Sequence, residues 1–319
     1  MNIPRAMKLL ADETRLRLLT LLEQEELSVQ ELTDITGMGQ SRVSRHLGLL
    51  REAGAVEDRK EGTWTFYKFR PPTNGAPFPR EVWSSIGRAY SGSTEAQSDR
   101  HELERIREAR RERSRAAHDR LAGVWQQLVG EQLERGSLRS EALAAVASPR
   151  LKVADLGCGA GFFSSFLAPR TANVIAVDHS AAMLEHAREQ CPDQSVEFRQ
   201  GELDALPIAD GEVDAVFANL VMHHVPEFAP VASEIERILK PGGVAVISDL
   251  LPHNEDWMRE AMGDPRLGIE PEELASPFRE GAFETVEILP SEDRYRLKSP
   301  GGRLARLELF LLRAVKRAD

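Results

Sequence analysis

Apolar residues in the first seventy positions fall at helical spacing and then switch to alternation. Leu9 and Leu10, followed by Leu16, Leu18, Leu19, Leu21 and Leu22, predict two helices over residues 3–25 that meet near Asp12. Ser28 with Glu31 three residues on forms a capping box, which opens a short helix to about Thr36. Gly37-Met38-Gly39 makes a turn. The next helix runs from Gln40 to about Ala53 and stops at Gly54, with Val43, Leu47 and Leu50 as its buried stripe. Residues 55–60 and 63–69 then read as two strands around Glu61-Gly62.

The pattern changes twice more. Residues 71–77, rich in proline, form a linker. A helix over 79–90 carries Val82, Trp83, Ile86 and Tyr90. Residues 94–129 read as one long helix, laced by the i, i+3 pairs Glu102/Arg105, Glu104/Arg107, Glu108/Arg111 and Glu112/Arg115. Its apolar stripe is thin until Leu121, Val124, Trp125 and Leu128. A last helix over 130–148 is placed as a lid on a ligand pocket. From residue 151 the apolar runs are short and continuous, as in buried parallel strands. The tail alternates at Phe283, Val286 and Ile288 and again at Leu304, Leu307, Leu309 and Leu311, which suits closing antiparallel strands.

The expected architecture is therefore multi-domain. An N-terminal α+β winged helix-turn-helix occupies residues 1–70, a helical connector 71–148, and an α/β Rossmann-like domain with a mostly parallel seven-stranded sheet 149–319. Charge sharpens this division. The chain of 319 residues has a formal charge of −10, with 41 basic and 51 acidic side chains. Residues 151–319 hold 17 basic and 29 acidic side chains, a poor surface for a phosphate backbone, which argues against a nucleic-acid substrate for that domain. Residues 40–70 hold 7 basic and 4 acidic ones, so the helix-and-wing end is the positive end of the head. Two cysteines, Cys158 and Cys191, imply a reducing cytoplasm and exclude a disulfide framework or a cysteine metal cluster. No apolar run is long enough to span a membrane, and no signal-peptide pattern opens the chain.

Helix, turn, helix and wing is an arrangement that places its second helix in the major groove of DNA. Gln40, Ser41, Arg42, Ser44, Arg45 and His46 lie toward the outward N-terminal side of that helix. Arg42 and Arg45 suit base edges or phosphates; Arg59, Lys60 and Lys68 suit wing contacts to the backbone. The segments 10–22, 26–32 and 39–56 (LADETRLRLLTLL, ELSVQEL, GQSRVSRHLGLLREAGAV) resemble the ArsR family of bacterial repressors. The resemblance implies a DNA operator, read by a homodimer. Metal-sensing members place cysteines where this chain has Ser28 and Gln30, so soft-metal sensing is not expected there.

The second domain turns on Asp155-Leu156-Gly157-Cys158-Gly159-Ala160-Gly161, a strand ending in an acid and a glycine turn before a helix near Phe162. The spacing is G-x-G-x-G, one residue shorter than the dinucleotide fingerprint. S-adenosylmethionine (SAM) carries an ammonium, a carboxylate and an adenosine; Asp155 suits the ammonium, and the glycines let backbone approach closely. Asp178 ends the next strand, 21 residues after Gly157, where a carboxylate can accept both ribose hydroxyls. With residues 177–188, 201–216, 218–225 and 239–249, this stretch resembles class I SAM-dependent methyltransferases. The resemblance implies a cofactor set of Asp155, Gly157, Cys158, Gly159, Gly161, Asp178, His179, Met183, Glu202, Leu203 and Asn219. Core packing competes for Met183, and Glu202 stands where such families often have Asp against the adenine amino group. His223 and His224 are candidate general bases, or else open the following helix. Asp249 and His253 are placed toward an acceptor. Metal binding by His223, His224 and His253 rests on residue type alone, and no metal is expected.

Two functions stay open. In one, SAM or S-adenosylhomocysteine (SAH) binding shifts a DNA-binding dimer between states, and the resemblance points to methionine and SAM metabolism. In the other, the domain is an active methyltransferase on a small acceptor, with the head autoregulating it.

Overall fold

The computed structural model describes residues 3–61, 64–72, 77–121, 146–192, 195–299 and 301–318. The stripe at Val124, Trp125 and Leu128, and nearly all of the helix expected over 130–148, lie outside them. The chain divides into two compact units, Met1–Arg111 and Glu112–Asp319.

The first unit is a winged helix-turn-helix. It runs α1 (Ile3–Leu10), α2 (Glu13–Gln24), β1 (Leu27–Ser28), α3 (Val29–Thr36), α4 (Gln40–Glu52), β2 (Val56–Glu61), β3 (Trp64–Phe69), α5 (Arg80–Tyr90) and α6 (Thr94–Leu121), the last of which continues into the second unit. Local chemistry sets the boundaries. The Asp12 carboxylate accepts the Arg15 N–H at 3.1 Å and starts α2. Ser28 Oγ accepts the Glu31 N–H while Glu31 Oε2 accepts the Ser28 N–H at 2.9 Å, the reciprocal box read from sequence, worth about 1 kcal/mol. Gly37 ends α3 at φ +68°, where an L side chain would be strained. Leu18, Leu19, Leu22, Leu32, Leu47 and Leu50 close the core.

Two features of this unit were not foreseen. The two-residue β1 pairs with β3 (Leu27↔Tyr67), so the wing sheet has the order β1-β3-β2. The head core also takes in α5 and the early turns of α6: the Trp83 ring lies 5.2 Å from that of Phe69, and Leu103 is buried. Ion pairs follow the same contact. Arg17 pairs with buried Asp99, and Arg107 and Arg110 both pair with Glu25, which is only 5% exposed. Arg110 also reaches Glu31 at 2.7 Å. The i, i+3 pairs at Glu102/Arg105, Glu104/Arg107 and Glu108/Arg111 form as expected.

The second unit is a doubly wound sheet. It comprises β4 (Lys152–Leu156), α7 (Phe162–Leu167), β5 (Asn173–Asp178), α8 (Ala181–Gln190), β6 (Val196–Gln200), β7 (Val213–Asn219), α9 (Phe228–Ile238), β8 (Leu239–Leu250), α10 (Trp257–Ala261), α11 (Pro271–Glu280), β9 (Phe283–Lys298) and β10 (Leu304–Lys316). The seven strands lie in the order β6-β5-β4-β7-β8-β10-β9. β4 to β8 are parallel, and β10 runs antiparallel to both β8 and β9. Both faces are covered. Ala154, Leu156, Ile175 and Val177 pack with Ile235 and Phe278 on one side; Val153, Val174 and Ala176 pack with Leu167 on the other. That explains the continuous apolar runs. Strand order reverses at β4, so ligands of such sheets lodge at the carboxyl ends beside it. Among the described residues, no helix is long and apolar enough to cross a membrane.

Candidate functional site

The candidate recognition surface of the head is the outer face of α4. Val43, Leu47 and Leu50 are buried, which turns Gln40, Ser41, Arg42, Ser44 and Arg45 to solvent. Arg45 makes no ion pair among the described residues. Arg42 donates to Thr14 Oγ1 at 2.7 Å and is thereby aimed. His46 differs from its neighbours: it is half-buried, with Nδ1 3.6 Å from Asp12, and burial lowers its pKa. On the wing, Lys60 and Lys68 are exposed, whereas Arg59 pairs with Glu26 at 2.8 Å and lies over the Phe66 ring.

In the second unit the glycine turn and β5 build one constellation. The N–H groups of Gly157 and Cys158 both donate to the Val177 carbonyl, which ties the turn to the next strand. Gly157 has φ +69°, and a Cβ there would lie 2.3 Å from Val221 Cγ2, so no other residue fits. Asp178 accepts the Gly159 N–H on Oδ2 and the Ser180 N–H on Oδ1, each at 2.9 Å. Its carboxylate is thus fixed at the carboxyl end of β5, beside the switch point, with lone pairs left for further donors. Asp155 is buried and accepts the Ser164 hydroxyl at 2.6 Å. No cationic side chain pairs with it among the described residues. Burial pushes its carboxyl up to about 7, against the pull of Ser164. Burial, with Asp178 and Asp155 nearby, raises the Cys158 thiol well above its ordinary range, so it is not a nucleophile.

The last turns of α6, which belong to this unit, supply a second layer. Arg115 pairs with Glu202 at 2.7 Å. The His118 ring meets those of His179 and His224 edge-on, at 5.2 and 4.7 Å. Asp119 accepts the Ser180 hydroxyl. Beyond β7, Leu220 sits at φ +54°, a strained position for leucine, and leads into the short 3-10 helix Met222–His224. Asp249, near the end of β8, holds that helix. It accepts the N–H groups of Met222 and His223 at 2.8 and 3.2 Å, and its Oδ1 lies 2.7 Å from His223 Nδ1. Burial opposes charge on His223, but Asp249 and Asp264 outweigh it and hold the imidazolium up to about 10. Desolvation, with His223, His118 and His179 nearby, pushes the half-buried His224 well below its ordinary pKa.

The family model for bacterial regulatory proteins of the arsR family matches residues 12–58, and that for a methyltransferase domain matches residues 154–247. The chain joins an arsR-family helix-turn-helix domain to a methyltransferase domain. The biotin biosynthesis bifunctional protein BioHC of Cellvibrio japonicus is 39% identical over 137 residues, 43% of this chain and 26% of that protein. An arsenite methyltransferase of Halobacterium salinarum is 36% identical over 177 residues, 51% of this chain and 45% of that protein. A trans-aconitate 2-methyltransferase of Azoarcus sp. is 42% identical over 118 residues, 35% of this chain and 45% of that protein. The chain therefore spans less than half the length of these relatives.

Within the methyltransferase domain the expected ligand residues gather unevenly. Asp155, the three glycines, Cys158, Asp178, His179 and Glu202 lie on the turn and the ends of β4, β5 and β6. Asn219 is half-buried at the end of β7, and Leu203 packs partly on the core. Met183 is fully buried with Ala160 and Ala182, so its side chain serves packing. His223, cationic at neutral pH, is a poor proton acceptor, which leaves His224 as the base candidate. Sequence reasoning missed Arg115, His118, Asp119, Leu220 and Asp264 as site residues, since no local spacing connects them to the turn.

The buried Asp155 carboxyl has a consequence for stability. Between its unfolded pKa near 4 and its folded value of about 7, the folded state holds a proton that the unfolded state has released. Stability of the ligand-free domain therefore falls as pH rises through that window and levels off above it. Asp155→Asn keeps the Ser164 hydrogen bond and removes the effect, so the variant gains up to about 4 kcal/mol on the wild type between pH 4 and pH 8. Thermal unfolding at both pH values checks this; parallel pH dependence in the two proteins contradicts it.

Proposed function

We propose that this chain is a cytoplasmic, homodimeric DNA-binding regulator whose methyltransferase domain takes SAM or SAH as effector, with genes of methionine and SAM metabolism as its targets. The observation that carries the reading is the helix α6. Arg107 and Arg110 hold Glu25, just before the helix-turn-helix. Eight residues after Arg110, His118 lies against His179 and His224, while Arg115 holds Glu202 and Asp119 holds Ser180. An adenosyl group whose ribose hydroxyls bind Asp178, and whose adenine approaches Glu202, must engage or displace those last turns. Ligand binding then bears on the helix that is anchored in the head, which is the differential contact that coupling requires. The donor set fits the ligand: Asp178 is fixed with spare acceptor capacity, and Asp155 is a buried acid that pairs with no cation among the described residues. SAM brings an electrophilic methyl group; the chain's residues bind and orient the adenosyl part.

A second reading is an active methyltransferase on a small acceptor. It is favoured by the relatives, which are methyltransferases of differing acceptors, and by His224, whose pKa desolvation lowers. Gel retardation of a duplex selected from a random pool by the protein itself separates the two. With SAH present, the regulator reading predicts an operator affinity changed about tenfold or more, in line with coupling of 1–3 kcal/mol. An operator affinity equal with SAM, with SAH and with neither supports the enzyme instead.

A further inference from the structure

Three side chains, two of them buried and that of His224 half-buried, converge beside the ends of β7 and β8. His223 and His224 come from the 3-10 helix after β7, and Asp264 from the loop after α10. His223 Nε2 lies 3.8 Å from Asp264 Oδ1, and His224 Nε2 lies 3.6 Å from the same oxygen. Their ligand atoms all fall within 4.8 Å of one another. Asp264 is 3% exposed, and its Oδ2 is buried without a hydrogen-bond partner among the described residues. Such an orphaned carboxylate oxygen is costly and calls for an unseen partner. His223 is oriented from behind: its Nδ1 rests on Asp249, leaving Nε2 to face Asp264. A carboxylate behind an imidazole is the arrangement that orients metal-ligating histidines.

We propose that His223 Nε2, His224 Nε2 and the Asp264 carboxylate bind one divalent transition-metal ion, with Asp249 as the positioning carboxylate. Ligand atoms about 2.0–2.1 Å from a common ion stand about 3.3 Å apart in a tetrahedral site, so the two spacings to Asp264 need to close by only a few tenths of an ångström, while the two imidazole nitrogens, within 4.8 Å of each other, close by up to about 1.5 Å through rotation of His224. Two imidazoles and one carboxylate favour Zn²⁺, Co²⁺ or Fe²⁺ over Mg²⁺ or Ca²⁺. Three protein ligands leave a position for water or for an oxygen donor of a substrate. Asp249 and Asp264 place two buried carboxylates at this cluster, and a dication offsets both. His223 binds it through a neutral Nε2, any proton there leaving to solvent, while Nδ1–H stays on Asp249. This proposal is independent of what the adenosyl site binds.

The test uses the full chain, freed of any affinity tag, stripped with a chelator and then dialysed against Co²⁺. The wild type should retain one equivalent of Co²⁺ through gel filtration and show the visible absorption of low-coordinate cobalt. Asp264→Asn and His224→Gln should each lose both, and Asp249→Asn should bind about 10–100-fold more weakly. Exposed His101→Asn, remote in sequence, should behave as wild type. Asp264→Asn removes a buried charge at constant shape, and circular dichroism of each metal-free variant confirms its fold. A wild type that retains no stoichiometric ion overturns the proposal, as does undiminished Co²⁺ in both Asp264→Asn and His224→Gln.

Discussion

Asp178→Ala lowers the affinity for SAH by about 10²–10⁴-fold. Each ribose hydroxyl donating to an ionised carboxylate contributes about 1.5–3 kcal/mol, and the side chain supplies the acceptor for both. The alanine also releases the Gly159 and Ser180 N–H groups, at 2.9 Å from the carboxylate in the native site, so the turn and the start of α8 lose their common anchor. Isothermal titration calorimetry reads the loss directly. The head contains none of these contacts, so the variant should still retard operator DNA in the absence of ligand. Unchanged SAH affinity would mean that the adenosyl group does not rest on β5.

Arg45→Ala has the second largest effect, on DNA. Arg45 is exposed on the outer face of α4 and makes no ion pair among the described residues, so its guanidinium is not already committed. A bidentate contact to guanine contributes about 1–3 kcal/mol of discrimination, so operator affinity should fall about 5–150-fold with relaxed specificity at one position. If the contact is to phosphate, affinity falls across all sequences and the slope of log K against log salt shrinks by about one. Gel retardation at two salt concentrations distinguishes these outcomes, and an Arg45→Ala protein identical to wild type at both removes α4 from the groove. Arg59→Ala should matter less for DNA, because Arg59 is already paired with Glu26.

What sequence reasoning reached, and what it missed, follows the range of the interactions. The Ser28–Glu31 box, the left-handed Gly37 and the start of α7 at Phe162 are set by neighbours within a few positions, and each lies where the pattern placed it. β5 ends at Asp178 for the same reason: an apolar run meets a charge at the sheet's rim. The site's outer layer was illegible because its pairs are remote. Arg115 and Glu202 are 87 residues apart, and Ser180 and Asp119 are 61 apart. A sequence read alone gives Arg115 an i, i+3 partner in Glu112; the fold gives it Glu202. Leu27–Ser28 is too short for alternation to show as a strand. Asp264 sits in a loop whose sequence carries no ligand spacing to His223, so only the fold brings them together.

Coupling between the two ligands is the central claim, and it is reciprocal by thermodynamic necessity. The direct measurement is calorimetric titration of SAH into the protein alone and into the protein saturated with its selected duplex. The account predicts that the duplex changes SAH affinity by the same factor by which SAH changes operator affinity. Equal SAH affinity with and without bound DNA would contradict it.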